Sequence, residues 1–264
     1  MLTAVKNEIK LLILTVKYNI IKRMDNRGAF ITSVIGMILN NAIIFVQWFI
    51  LFNIKDSIGG YGFREVGLLW AFATGCYGLT SIFLNNTRNI SELIFSGKLD
   101  SYIVQPRNTL LNVASSDTRE DGFGDLFFGI LILILLRVRF LNFLLALFLM
   151  ILGAITITSL NIITHSLSFK HNNMEDFAIQ FNSGVLAFMT YPINIFGGDV
   201  KWLFYTLIPV GFVIAIPISL ITSFNIFSLL IVIAFTSLIA LFATFMFYRG
   251  IKHYSSSNLM ITRI

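Results

Sequence analysis

What most constrains this chain is where its charges are not. No charged residue occurs in the 22 positions from Val66 to Thr87, or in the 47 from Trp202 to Tyr248. About 20 apolar residues make a helix long enough to cross a bilayer. A segment in lipid must also satisfy its own backbone hydrogen bonds. Runs such as Leu131 to Leu136 show no alternation, which the strands of a membrane barrel would need. The chain therefore reads as an all-α integral membrane protein. Its residues are 56% hydrophobic and 12% charged, whereas soluble domains are about a quarter charged. One segment breaks the pattern. Residues 88–123 carry nine of the 32 charged residues: Arg88, Glu92, Lys98, Asp100, Arg107, Asp117, Arg119, Glu120 and Asp121. A membrane chain with so long an internal polar island uses it to touch something in water.

Residues 2–24 read as an amphipathic helix. Val5, Ile9, Leu12, Val16 and Ile20 recur at helical spacing, with Lys6, Lys10 and Lys17 on the other side. Such a helix lies in the headgroup plane, so residues 1–27 are expected to be interfacial, the alternative being a cytoplasmic helix packed on the protein itself. Six basic residues in the first 27 positions interrupt any signal-peptide core. Charge-free windows then place spans at Gly28 to Ile54, Val66 to Thr87, about Gly122 to Val138, Phe140 to Thr164 and Phe177 to Gly198, with a last one at Ile226 to Tyr248. Asp125 and Arg137 are expected at the two ends of the third, Asp125 as a cap on its N-terminus, with a coupling or pathway role as the alternative.

The stretch 202–222 decides between six spans and seven. With six spans, 14 of the 19 basic residues fall on one side, and the rule that basic loops stay inside makes that side cytoplasmic. A seventh span would put Arg249, Lys252 and Arg263 outside. Six spans are expected, with 202–222 as a re-entrant hairpin broken by Pro209, Gly211 and Pro217. The whole chain, 1–264, reads as one membrane domain.

Several chemistries are absent from the sequence. The one Gly-Lys pair, Gly97-Lys98, has no upstream glycine and no following Ser or Thr, so it is no phosphate loop. His165, His171 and His253 form no H-E-x-x-H, and the first two read as loop histidines near one membrane edge. A single cysteine, Cys76, allows neither an internal disulfide nor a cysteine metal site. No catalytic, cofactor-binding or metal-ligating residue is expected, so the chain is not read as an enzyme. The span interiors hold neutral polar groups instead: Asn40, Asn41 and Gln47 in the first, Thr156 in the fourth and Asn182 in the fifth. They are either interhelical hydrogen-bonding groups or the wall of a pathway. In the island, Ile90, Leu93 and Ile94 form a short apolar stripe among Arg88, Glu92 and Lys98. Gly97 ends that helix and Pro106 a second stretch, Leu99 to Val104. A short helix at the tip of two spans can pass a partner's motion into the membrane. A second reading, a membrane sensor or immunity subunit signalling through the same loop, shares this topology.

The stretch from Gly97 to Leu111 (GKLDSYIVQPRNTLL) resembles a segment of ABC-2-type transporter permeases, a bacterial group of six-span subunits. The likeness continues at Gly124, Asp125, Leu126 and Gly129, at Tyr191 to Phe196, at Pro209 to Phe212 with Pro217, and at Tyr248 to Ser256. It departs mildly at His253, where the family often has another basic residue. The resemblance implies an interfacial helix, six spans, a coupling helix between spans two and three, and re-entrant helices before the sixth. It also implies a second permease, self or sister, above two cytoplasmic ATPase subunits that carry ATP and Mg. Here the coupling helix falls near Asn89 to Gly97. Ile90, Glu92, Leu93, Ile94, Lys98, Asp100 and Arg107 are the expected coupling residues. The implied role is export across a bacterial cell membrane; the charge count itself puts both termini in the cytoplasm, and basic residues beside hydrophobic spans point to anionic membrane lipids and not to nucleic acid.

Overall fold

A computed structural model describes residues 2–171 and 174–255. Ser256 and Arg263, and the side chains of Val5 and Lys201, lie outside the described residues. No β-strand is found among those described. Helix α1 (Leu2–Arg23) precedes α2 (Arg27–Ile54), which starts where the Asn26 side chain accepts from Ala29 N at 3.1 Å. Helix α3 (Phe63–Phe83) follows, and then a 3-10 turn, Asn85–Asn89. The island folds into α4 (Ile90–Phe95), α5 (Asp100–Ile103) and α6 (Thr109–Ser115). Beyond it come α7 (Asp121–Leu135), α8 (Phe140–Ser166), α9 (Met174–Met189), α10 (Gly198–Leu203), α11 (Ile216–Thr222) and α12 (Ile226–Ile251).

Four of these, α2, α3, α12 and α8 with its 3-10 extension to Phe169, are long and apolar enough to cross a membrane. At 15 and 16 residues, α7 and α9 are shorter. At 1.5 Å per residue they reach about 22–24 Å, against a hydrocarbon core of about 30 Å.

The core is built around α3. Its residues Val66, Leu68, Leu69, Ala71, Phe72 and Cys76 have no exposed surface, because α2, α7 and α8 cover it. Its contact with α7 is backbone against backbone. A Cβ on Gly78 would sit 2.6 Å from Leu126 N and 2.7 Å from Gly122 O, and one on Gly129 2.7 Å from Ala71 O. Helices without a hydrophobic drive between them associate through such close approaches of small residues. Helix α12 joins α8 on the far side, where Thr156 Oγ1 lies 3.2 Å from Thr236 Oγ1. The outward face of α2 shows Ile31, Ile35, Leu39, Ile43, Val46 and Ile50.

Helix α9, expected as the fifth span over Phe177 to Gly198, starts earlier than that charge-free window and stops at Met189, well short of Gly198. The residue before Pro192 is pushed out of the helical region. The chain then turns through Ile193–Ile195, and Ile195 packs onto Gly59. The stretch 198–222 is a pair of short helical arms. The turn between them carries Pro209, and Gly211 N donates to Phe204 O at 2.8 Å. The second arm does not break at Pro217. It opens with a π-helical turn, Gly211–Ala215, and runs on through the proline into α11. A widened turn relieves the clash that a proline ring makes with the preceding turn. Val210, Val213, Ile214, Ile218 and Leu220 of this arm are buried.

The island is not a solvated loop. Ile90, Leu93, Ile94, Leu99, Leu110 and Val113 form a second core with Ile162, Ala243 and Phe247 from the ends of α8 and α12. Gly97 stops α4 with φ of +72°, a conformation that costs other residues about 1 kcal/mol or more. The later part of the island docks α1. Asn19 Nδ2 donates to Ser115 O at 2.9 Å, and Glu8 accepts from Asn108 N at 3.2 Å. Arg23 pairs with Asp117 at 2.9 Å, which raises the arginine above its usual range. The stripe expected on α1 is therefore split. Val16 is buried and Leu12 and Ile20 half-buried on the protein side, while Ile9 is exposed beside Ile13, Tyr18 and Ile21.

Replacing Gly78 by Val forces α3 and α7 apart. Overpacking of this kind costs about 1–3 kcal/mol. Gly78→Val should lower the thermal unfolding midpoint in detergent or prevent folded protein from accumulating. Gly36→Ala, with no atom within 4 Å of the added Cβ, should leave that midpoint unchanged.

Candidate functional site

Helices α2, α3, α7 and α9 line an open-mouthed cavity of about 220 Å³. Asn40 and Asn41 reach it from α2, Trp70 and Tyr77 from α3, Asp125 from α7 and Met189 from α9. Asp125 does not cap α7. That helix begins a turn earlier, at Asp121, and Asp125 sits in its second turn, 4% exposed. Asn41 Nδ2 donates to Asp125 Oδ1 at 2.7 Å. The other carboxyl oxygen, Oδ2, is buried without a hydrogen-bond partner, and so is the Trp70 indole N–H. Arg88 stands at the neighbouring edge, its guanidinium 4.3 Å from the centre of the Tyr77 ring and donating to Tyr77 Oη at 2.7 Å. Arg119 is engaged by the Asp121 carboxylate.

Of the neutral polar groups singled out in the spans, the structure brings Asn40 and Asn41 to this cavity. Gln47 is exposed on α2. Thr156 is buried between α8 and α12, bonded to Leu152 O at 3.0 Å. Asn182 Nδ2 donates to Thr164 Oγ1 at 2.9 Å and ties α9 to α8.

The island offers a second surface. Ile90, Leu93 and Ile94 face the protein interior and anchor α4, leaving Glu92, Ser96, Lys98 and Asp100 exposed. Lys98 Nζ pairs with Glu92 Oε1 at 3.3 Å. Arg107 turns inward, with Nη2 3.4 Å from Thr15 Oγ1 on α1. Burial first, and then the nearby Asp100 carboxylate, pushes the Tyr254 phenol up to about 12. One buried joint was not anticipated. Ser91 of α4 lies 2.8 Å from His165 Nδ1 and 2.8 Å from Ser168 Oγ. His165 is thus not a loop histidine but 1% exposed in the last turn of α8, while His171 is exposed. Among the described residues no group of three His, Cys, Asp or Glu side chains is placed to hold a metal ion.

The signal for Asp125 lay in its register. It stands three residues after Gly122 and four before Gly129, on the face that packs inward. His165 had no such signal, because Ser91 is 74 residues away.

A family model described as an ABC-2 family transporter protein matches residues 38–258. No curated protein and no solved structure matches the chain.

The Asn41–Asp125 bond can be weighed by removing one partner or both. Asn41→Leu leaves a buried carboxyl oxygen unpartnered and should cost about 1–3 kcal/mol. Exchanging both residues for Leu should recover most of that loss. Thermal unfolding of the single and double variants measures the difference.

Proposed function

The chain belongs to the ABC-2 family of transporter proteins, and from that premise we propose that it is the permease subunit of an ATP-driven exporter. It is a multi-pass membrane protein whose family supplies the transport subunit. In the proposed topology α2, α3, α7, α8, α9 and α12 cross a bacterial cell membrane. The stretch 198–222 enters and returns from the outer side. Both termini and the island are cytoplasmic, and α1 lies in the headgroup layer. The second hairpin arm supports this, since Val213, Ile214, Ile218 and Leu220 bury its inner face in the main core rather than leaving it in water. ATP and Mg belong to a separate cytoplasmic ATPase, present in two copies, and a second permease completes the pathway.

The observation that carries the reading is the anchoring of α4. It is too short to stand alone, yet Ile90, Leu93 and Ile94 clamp it to the ends of α8 and α12, and Ser91 bonds to His165. Its other face, with Ser96 and the Glu92–Lys98 pair, is exposed. A push on that face is therefore passed to two long helices rather than lost in a loop. In this mechanism ATP binding draws the ATPase pair together, α4 follows, and the permease pair switches its opening from inside to outside. The cavity beside Asn40 and Asn41 is the segment of the pathway this chain contributes.

Two measurements test the reading. Glu92→Arg combined with Ser96→Arg changes only exposed positions, so it should leave thermal stability intact. It should reduce co-purification with the cognate ATPase about tenfold or more, as losing central contacts does at an interface. Undiminished co-purification would remove α4 as the docking element. For topology, Cys76 has no exposed surface, so introduced cysteines report alone. Cysteines at Ser57 and Ser223 should react with an impermeant maleimide on intact cells, and one at Ser101 only after permeabilisation. Labelling of Ser101 from outside would overturn the orientation.

A further inference from the structure

We propose that the cavity between α2, α3, α7 and α9 binds the protonated amine of a cationic amphiphile, with the Asp125 carboxylate as its counter-ion. This rests on the pathway reading and narrows it to a class of ligand. The first observation is the incomplete environment of Asp125. It is 4% exposed, one oxygen is held by Asn41, and the other has no partner. No cation lies within ion-pair reach among the described residues: Arg119 is paired with Asp121, and Arg88 is spread over the Tyr77 ring. A buried carboxylate in this state is costly until a positive donor meets it. Ionisable groups inside membrane helices sit where a ligand or ion passes.

The walls add a second observation. Trp70 supplies an aromatic ring to the same wall as the carboxylate, and aromatic faces attract ammonium groups; the Tyr77 ring already carries Arg88. Met37, Ile44, Leu186 and Met189 make the remainder apolar, and methionine adapts to varied shapes. The free indole N–H of Trp70 can meet an oxygen on the same ligand. About 220 Å³ matches the volume of roughly seven waters. The cavity thus takes an amine head and its first few carbons. Asn40, which lines it and is exposed, marks its mouth, where a longer apolar body would lie along α2.

The probe pair is dansylcadaverine, a primary amine on an apolar body, and its N-acetyl derivative, the same body without the charge. Binding to the purified full chain in nanodiscs is read by fluorescence against empty nanodiscs. The expected result is at least tenfold tighter binding of the amine. Asp125→Glu should keep that preference and Asp125→Asn should abolish it. Should Asp125→Asn fail to fold, Ala73→Phe, which fills the cavity from α3, serves instead and should remove saturable binding of the amine. Equal binding of both probes by the wild-type chain, or a preference that survives Asp125→Asn, would overturn the proposal. The pathway fails separately. Vesicles holding the chain with its ATPase either accumulate the amine on addition of ATP or do not. Selective binding without accumulation keeps the site and removes the pathway. Accumulation of both probes alike keeps the pathway and removes the cation.

Discussion

The close approach of α3 and α7 is the constraint on which the remaining architecture depends. With Gly78, Gly122 and Gly129 at the contact, the two backbones meet without side chains between them. That proximity lets α7, only 15 residues long, bury Phe128, Ile132 and Leu133 against the central helix. Gly124 repeats the device toward α2, where a Cβ would meet Val34 O at 2.6 Å. Asp125 follows directly in sequence. The packing that holds three helices together therefore also sets the carboxyl facing Asn41. A larger residue at any of these glycines would move both the packing and the cavity.

Much of the fold could be read from where charge is missing. The charge-free windows located α2, α3, α8 and α12 to within a few residues, because placing a charge in hydrocarbon is costly enough to leave a clear gap. The stripe of Ile90, Leu93 and Ile94 was legible for a related reason, since helical spacing of apolar residues marks a face that must be covered. What was not legible depended on distant partners. Nothing near Pro192 tells that Ile195 will pack on Gly59. Nothing near Pro217 tells that a π-helical turn will absorb it. The role of the later island was hidden because its partner is α1, about a hundred residues earlier.

The cavity and the island meet through one residue. Arg88 opens the island in sequence, and in space it covers Tyr77, which lines the cavity. The two candidate sites are thus joined by a stacked and hydrogen-bonded pair, Tyr77 on α3 and Arg88 on the 3-10 turn that follows it, not by a flexible linker. Neutral groups hold the rest of the frame, as Thr156 does with Thr236 and Asn182 with Thr164. Such contacts contribute about 1 kcal/mol or less each, a strength suited to helices that must shift against one another.

Helix α1 is fastened in two unlike ways. Toward the protein it is held by the buried Val16 and by polar contacts: Glu8 to the backbone of Asn108, Asn19 to Ser115, Arg23 to Asp117. Its other face shows Ile9, Ile13 and Ile21. Salt screens the Arg23 pair, while apolar burial is insensitive to it or, with strongly hydrated anions, strengthened. Rising ionic strength therefore loosens the ion-paired end of the helix from the island while leaving its apolar contacts in place. The segment behaves as a two-sided adhesive whose weaker side is set by the solution rather than by the sequence alone.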